Sequence, residues 1–330
     1  MKTGEIGERG FLASISNYVN SVKGAKLGFD DDASDFPITD DQNLVVNVDT
    51  FVRETDWLSG MTAAQVGRKT AVMTLSDLAA KGAKPLGTML SLCVPEDFEA
   101  DEASELVRGF SQYGLKAGIP FIGGDTGMAS DVILTGVGLG VAPPEGIIPR
   151  SGAKPGDIVV VTGYFGFTSV AFEVLLRGRE AEPDLHKQAL LAAYKPAINL
   201  EIVPALAEER AITASMDSSD GLGISLNTIA KQSGVSLVIE RLPAAKGVDV
   251  FAQKNMLDEM KFVMQGGEEF HLIVTIPEDK FEKAREIAAT KRVPLIDIGY
   301  VQKGDRVVYE SSEGYVDIPF SGYDNFKEWE

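Results

Sequence analysis

The sequence predicts an α/β protein of the α+β type, built as two mixed α/β domains. Three observations predict it. Helical and strand periodicities alternate along the whole chain, the pattern of helices layered on sheets. At 330 residues the chain is long for a single core, and domain sizes favour two. The densest Pro/Gly stretch, APPEGIIPRSGAKPGD, falls near the middle and sets the boundary, with residues 1–146 in one domain and 147–330 in the other.

Each element has its own signal. EIGERGFLASISNYVNSV spaces Ile6, Phe11, Leu12, Ile15, Tyr18, Val19 and Val22 as one amphipathic opening helix. NLVVNVDTF reads as a strand. TAAQVGRKTAVMTLSDLAAKGA is a long Ala-rich helix, from a Thr N-cap to an end near Gly82. PLGTMLSLCVP is a strand closed by Pro95, DEASELVRGFSQYGLKAG a helix, GIPFIGG a short strand and DVILTGVGLGVA a longer one. Beyond the boundary come the strand DIVVVTG, a Gly-bearing turn and the helix TSVAFEVLLRG. Further helices cover roughly 184–194, 199–210 and 221–233, and strands fall at SLVIE, GGEEFHLIVTI and PLIDIGYV, with a helix in DKFEKAREIAA between the last two.

Composition bounds the function. Lys+Arg 31 against Asp+Glu 49 gives a net charge of −18. Such a field repels nucleic acid and anionic membrane, and no basic patch interrupts it. A phosphate-bearing ligand would need bridging cations. No apolar run approaches a membrane span, and MKTGEIGERG lacks the apolar core of a signal peptide. The single cysteine, Cys93 in SLCVP, excludes an internal disulfide and a Cys-cluster metal site. These readings place the protein in the cytoplasm, with neither a nucleic-acid nor a membrane partner.

The carboxylates carry the chemistry. GFDDDASDF packs Asp30, Asp31, Asp32 and Asp35 together, and burying such a run without compensation costs on the order of several kcal/mol per charge. VVNVDT and FIGGDT put Asp49 and Asp125 at the ends of apolar strands, and SMDSSDGL puts Asp217 and Asp220 at a strand-to-helix turn, where α/β folds place ligand sites. Asp77 interrupts the apolar face of a helix, so it needs a partner. The competing readings are a solvated acidic loop, N-caps and a salt bridge to Asp77. Oxygen donors without a Cys or His cluster select hard cations, Mg²⁺ before Ca²⁺, and Mg²⁺ held by aspartates on an acidic protein points to nucleotide phosphate chemistry.

LGFDDDA, VDTFV, LSDLAAKGAKP, IGGDT, RSGAKPGD, MDSSDGL and QGGEEFHL together resemble the thiamine-monophosphate kinases, within the superfamily of aminoimidazole-ribonucleotide synthetase, from Glu5 to the tail SGYDNF. The resemblance implies ATP-dependent phosphorylation of thiamine monophosphate to thiamine diphosphate by direct in-line transfer, with ATP as co-substrate and several Mg²⁺ ions. It implies a homodimer formed through the N-terminal, ATP- and Mg-binding domain, and a C-terminal domain that closes over the nucleotide and completes the substrate site. By the same resemblance Asp31, Asn47, Val48 (through its carbonyl), Asp49, Asp77, Asp125, Asp217 and Asp220 are metal ligands. Gly124, Asp125, Arg150 and Ser219 are nucleotide contacts, and Asp56, Glu268 and Tyr323 lie on the substrate side.

The chain departs from the family pattern at four places. It reads Asp30-Asp31-Asp32 for Gly-Asp-Asp, which leaves the metal-binding member of the run open by one position. Asn47 replaces a Ser, Asp56 beside Trp57 stands where a substrate-contacting His is usual, and Glu268-Glu269-Phe270-His271 replaces Glu-Asp-Tyr-Glu. The alternatives are another ATP-dependent enzyme of the superfamily or a non-catalytic nucleotide-binding regulator. Selenophosphate synthetase needs a reactive residue near the N-terminus, and no cysteine precedes Cys93. GVGLG lies within a strand with no helix after it, so close packing explains it better than a dinucleotide loop. VTGYFGF reads equally as a phosphate cradle or a tight turn, and His186 and His271 as surface or packing residues.

Overall fold

The computed structural model describes residues 2–324 and 326; Asn325 of the tail motif and residues 327–330 lie outside them. The first half runs α1 (Thr3–Ile15), β1 (Ser34–Pro37), β2 (Asn43–Val52), α2 (Arg53–Asp56), α3 (Ala63–Ala80), β3 (Lys84–Val94), α4 (Ala100–Lys116), β4 (Phe121–Met128) and β5 (Ile133–Ala142). Its five-stranded sheet has the order β1-β2-β5-β3-β4, antiparallel except for the parallel β3–β4 pair. The opening helix is shorter than its apolar spacing predicts. It kinks at Gly7 (φ 68°) and ends at Ile15, because the apolar side chains beyond find nothing to pack on: Tyr18, Val19 and Val22 are exposed.

Helix α3 is the element on which the site is built. Thr62 and Gln65 form its capping box, satisfying two of the free N–H groups at its start. It packs on α4 and on the inner face of β2 and β5, around Phe51, Val66, Leu106, Phe110 and Leu134. Glycines in β5 allow that close approach: a Cβ at Gly136 would lie 1.9 Å from Thr74 Oγ1, and one at Gly138 2.3 Å from Asn47 Oδ1. The GVGLG run is therefore a seat for α3.

The second half runs β6 (Asp157–Val161), α5 (Phe167–Arg177), α6 (Pro183–Tyr194), α7 (Ile202–Glu208), β7 (Ala214–Met216), α8 (Leu222–Ser233), β8 (Ser236–Ile239), α9 (Val248–Lys254), α10 (Glu259–Gln265), β9 (Ile273–Pro277), α11 (Phe281–Lys291), β10 (Ile296–Gln302), β11 (Val307–Ser311) and β12 (Gly314–Asp317). Its seven-stranded sheet has the order β12-β11-β8-β10-β6-β9-β7. The halves share apolar core: Val170, Ala171, Leu185, Phe251 and Phe262 join the cluster of Phe51 and Val66. No helix among the described residues is long and apolar enough to cross a membrane.

GGEEFHLIVTI, expected as one strand, is a strand only from Ile273. The Glu269 carboxylate causes the difference: it accepts from Gly166 N (2.8 Å), Thr168 N (3.2 Å) and Thr168 Oγ1 (3.1 Å) at the start of α5. That anchor pulls the segment off the sheet, and Glu268 and Phe270 take positive φ. It also settles VTGYFGF, because the α5 N-terminus already holds a protein carboxylate and the turn reading stands. His271 packs edge-on to Phe165, with ring centroids 5.3 Å apart, and burial pulls its pKa down to about 4.

Replacing Gly136 with alanine should cost about 1–3 kcal/mol in urea denaturation through overpacking against Thr74. An unchanged midpoint would show that α3 can lift off β5 without loss.

Candidate active site

Three carboxylates converge where the two halves meet. Asp32 comes from the acidic loop, Asp77 from α3 and Asp217 from the turn after β7, and their ligand oxygens lie within 4.8 Å of one another. Ser76 Oγ donates to Asp217 Oδ2 at 2.7 Å, and Asn47 Nδ2 donates to Asp77 Oδ2 at 3.1 Å. Burial, reinforced by the neighbouring Asp217, Asp49 and Asp32, pushes the Asp77 carboxyl well above its ordinary range. Burial and the Asp32 charge likewise raise Asp217 to about 7. Asp32 goes the other way: burial opposes its ionisation, but Arg150 and Lys81 outweigh it and hold the pKa below its usual value.

The positive partners of the acidic loop are protein side chains. Lys81, fully buried just past α3, places Nζ 2.7 Å from each of Asp31 Oδ1, Asp32 Oδ2 and the Ser215 carbonyl oxygen. Arg150 donates from Nε to Asp32 Oδ1 (2.8 Å), pairs with the same oxygen through Nη2, and donates from Nη1 to the Asp30 carbonyl (2.8 Å). Its backbone N–H donates to Asp31 Oδ2 at 3.1 Å. Protein donors engage both carboxylate oxygens of Asp31 and of Asp32 alike, and it is Asp32 that is grouped with Asp77 and Asp217. The expectation named Asp31 with the metal-binding member open by one position, and the geometry favours Asp32. Arg150, expected on the nucleotide, grips the loop.

The group fits a hard divalent cation. All donors are oxygens, and Asn47 Oδ1 and Asp217 Oδ1 are buried acceptors without a hydrogen-bond partner. Uncompensated buried acceptors beside like-charged carboxylates are costly, and one cation among them removes that cost.

The other expected residues are placed differently. Asp49 adjoins the group on β2; burial first, then Asp56 and Glu8, raise it to about 6, against a hydrogen bond from Thr50 N. Val48 turns its side chain outward, 63 % exposed. Asp220, raised by burial to about 7, pairs with Arg9 at 3.6 Å. The Ser219 carbonyl accepts from Glu268 N at 2.6 Å.

Asp125 is not at a strand end. β4 continues to Met128, and Gly124 serves the close strand pairing, since a Cβ there would lie 1.8 Å from Leu90 O. Asp125 stands in register with Ser91, Thr135 and Thr50, so three strand spacings, roughly 14 Å, separate it from β2. It is exposed and outside the carboxylate group.

Asp56, Glu268 and Tyr323, by contrast, share a pocket of about 120 Å³ with Thr55, Leu58, Phe172, Leu176 and Gly267. Asp56 Oδ2 accepts from Val52 N at 2.7 Å, and burial followed by the Asp56 charge pushes the Tyr323 hydroxyl up to about 12. Sequence reasoning missed Ser76, Lys81 and Lys69. The only signal for Lys81 was its place at the end of the helix that carries Asp77.

Fold and site together define the class: the chain matches the AIR synthase related protein N-terminal domain over residues 30–142 and the C-terminal domain over 154–311. It is 32 % identical over 286 residues to the thiamine-monophosphate kinase of Nitrosopumilus maritimus, covering 87 % of this chain and 90 % of that one. A solved protein of Thermus thermophilus, tt0281, superposes with a TM-score of 0.84 at 32 % identity, over 93 % of this chain and 97 % of the other. A structure described as AaThiL complexed with AMPPCP and TMP has the same fold, with a TM-score of 0.84 at 24 % identity over 98 % and 99 % of the chains. The chain belongs to the thiamine-monophosphate kinase family.

Lys81→Met should destabilise the protein by about 3–5 kcal/mol, because it strands buried Asp31 and Asp32 charge. Chemical denaturation reads the loss, and a change under about 1 kcal/mol would mean that Arg150 alone compensates the loop.

Proposed function

We propose that the chain transfers the γ-phosphoryl group of ATP to the phosphate of thiamine monophosphate, with Mg²⁺ as the resident cation. The observation that carries the reading is the three-carboxylate group, buried beside a separate pocket with apolar walls and two carboxylates. Family membership and the solved neighbour described as complexed with AMPPCP and TMP, read as an ATP analogue and thiamine monophosphate, support it.

Bound Mg²⁺ neutralises crowded phosphate oxygens and draws donor and acceptor into line. Asp32, Asp77 and Asp217 would hold it, with Asn47 beside them donating to Asp77; Asp49 and Asp220 extend the acidic surface toward further ions. An oxygen of the acceptor phosphate forms the new bond to the γ-phosphorus. The bond from that phosphorus to the bridging oxygen breaks, and ADP leaves. The acceptor oxygen is already ionised near neutral pH, so no side chain has to remove a proton. Arg150 would offer its remaining donors to nucleotide phosphate, with Ser219 as a backbone contact and Gly124 reaching it only from a second copy. Leu58, Phe172, Leu176 and Tyr323 suit a flat ring, and the carboxylates of Asp56 and Glu268 suit its positive charge.

The reading includes a homodimer and work in the cytoplasm. On the first sheet α3 and α4 cover only the inner face, leaving Val46, Val48, Val137, Leu139 and Met89 on the outer one. A second copy is the self-complementary cover for such a face. Asp125 shares that outer face, so any metal or nucleotide role for it would depend on the second copy.

With Mg²⁺-ATP and thiamine monophosphate, thiamine diphosphate should form, identified by mass, and free thiamine should give none. Asp77→Asn should lower kcat by about 10²-fold or more and abolish the rise in Tm that Mg²⁺ gives the wild type. Near-normal turnover in that variant would remove Asp77 from the cation site; ATP binding without product would overturn the acceptor. Val137→Asp should convert the dimer to monomer in light scattering, and a wild-type chain that is monomeric throughout sinks the dimer reading.

A further inference from the structure

Lys69 belongs to neither the carboxylate group nor the pocket lining, yet it is the largest charged side chain buried in the first core apart from Lys81. Its side chain is 0 % exposed. A lysine is taken out of water this completely only where fixed acceptors replace its hydration. Three neighbours meet its ammonium group: the Glu268 carboxylate in direct contact, the Asp56 carbonyl oxygen at 3.4 Å, and the face of Phe51, with its centroid at 5.8 Å.

Both of the polar partners line the pocket assigned to the acceptor ring. Asp56 comes from the first half of the chain and Glu268 from the second, so Lys69 ties the two walls together from behind. Glu268 needs such a tie. It holds a positive φ of 63°, an uncommon and costly conformation for a glutamate, and its backbone N–H donates to the Ser219 carbonyl at 2.6 Å.

We propose that Lys69 is a positioning residue for the acceptor pocket, fixing the Glu268 carboxylate against Asp56 so that the two walls form one binding surface for a cationic aromatic ring. The assignment rests on the reaction proposed above and goes beyond it in naming what holds the pocket's shape. Loss of the ammonium group releases Glu268 and lets the 266–269 loop relax, while Asp32, Asp77, Asp217 and Arg150 keep their own contacts. Acceptor binding then weakens and nucleotide binding does not.

The test compares wild type, Lys69→Met and the double variant Lys69→Met/Glu268→Gln in steady-state kinetics and thermal denaturation. Lys69→Met should raise KM for thiamine monophosphate about tenfold or more, with KM for Mg²⁺-ATP within about twofold of wild type. The double variant removes the stranded charge and should regain most of the lost Tm, while its acceptor KM stays high. A purely structural ion pair would instead lower the Tm of Lys69→Met while leaving its acceptor KM at the wild-type value, and that outcome overturns the proposal. So does a Lys69→Met enzyme whose two KM values rise together, or whose acceptor KM is unchanged. Should the wild type itself give no product from thiamine monophosphate, the reaction reading fails, and this assignment with it. Wild-type turnover with an unaltered acceptor KM in the variants sinks the role of Lys69 alone.

Discussion

The contact between Lys81 and the acidic loop is the constraint on which the rest of the site depends. Three adjacent aspartates cannot enter a protein interior by themselves. The Lys81 ammonium group, reached by Asp31, Asp32 and the Ser215 carbonyl at 2.7 Å each, brings the loop, α3 and β7 to one point. Arg150 adds a second cation from the segment that joins the two halves. Lys81 and Arg150 offset Asp31 and Asp32, and Asp77 and Asp217 of that group, both pushed up by burial, would carry −2 only once ionised, which one divalent cation would match. The protein assembles its own ion pairs first and reserves the remainder.

Helix α3 converts that local arrangement into a spatial relation between two subsites. Lys69 and Asp77 lie eight residues apart on it, and a rise of 1.5 Å per residue sets them about 12 Å apart along the axis. Lys69 meets two residues that line the proposed acceptor pocket, and Asp77 belongs to the carboxylate group. The helix is held on one side by the glycine seat in β5 and at its end by Lys81. Phosphoryl transfer is sensitive to in-line placement of donor and acceptor. A rigid helix, buried along most of its length, fixes that spacing better than a loop would.

The sequence already displayed what an apolar context makes conspicuous. Asp77 was legible because a carboxylate inside an apolar helical face needs a partner, and Asp217 because it sits at a strand-to-helix turn. The two α/β layers followed from periodicity, whereas the seven-residue helices α9 and α10 and the strands β11 and β12 are too short to carry a clear period. Lys81 and Lys69 were not legible: a lysine on a helix reads as solvated until its partners appear, and these are supplied 50 and 199 residues away. Nor does a run of three aspartates reveal which member faces inward, since Arg150 and Lys81 decide that. Asp125 reads as a strand end because glycine before an acid suggests one and an open backbone, whereas β4 continues to Met128. In the fold, Gly124 instead admits the neighbouring strand.

The same accounting explains how so acidic a protein can recognise phosphate at all. A helix N-terminus is the usual backbone device for an anion, but the one opening α5 is occupied by Glu269. The buried cations Lys81 and Lys69 are committed to Asp31, Asp32 and Glu268. Of the cations at the carboxylate group, Arg150 alone keeps partial exposure, with 20 % of its side chain accessible. On the proposed reading, positive charge for a polyphosphate would arrive with it, and the unpaired buried oxygen of Asp217 suits its receipt. The protein's own negative charge would then draw the cation in and oppose a nucleotide that arrives without one.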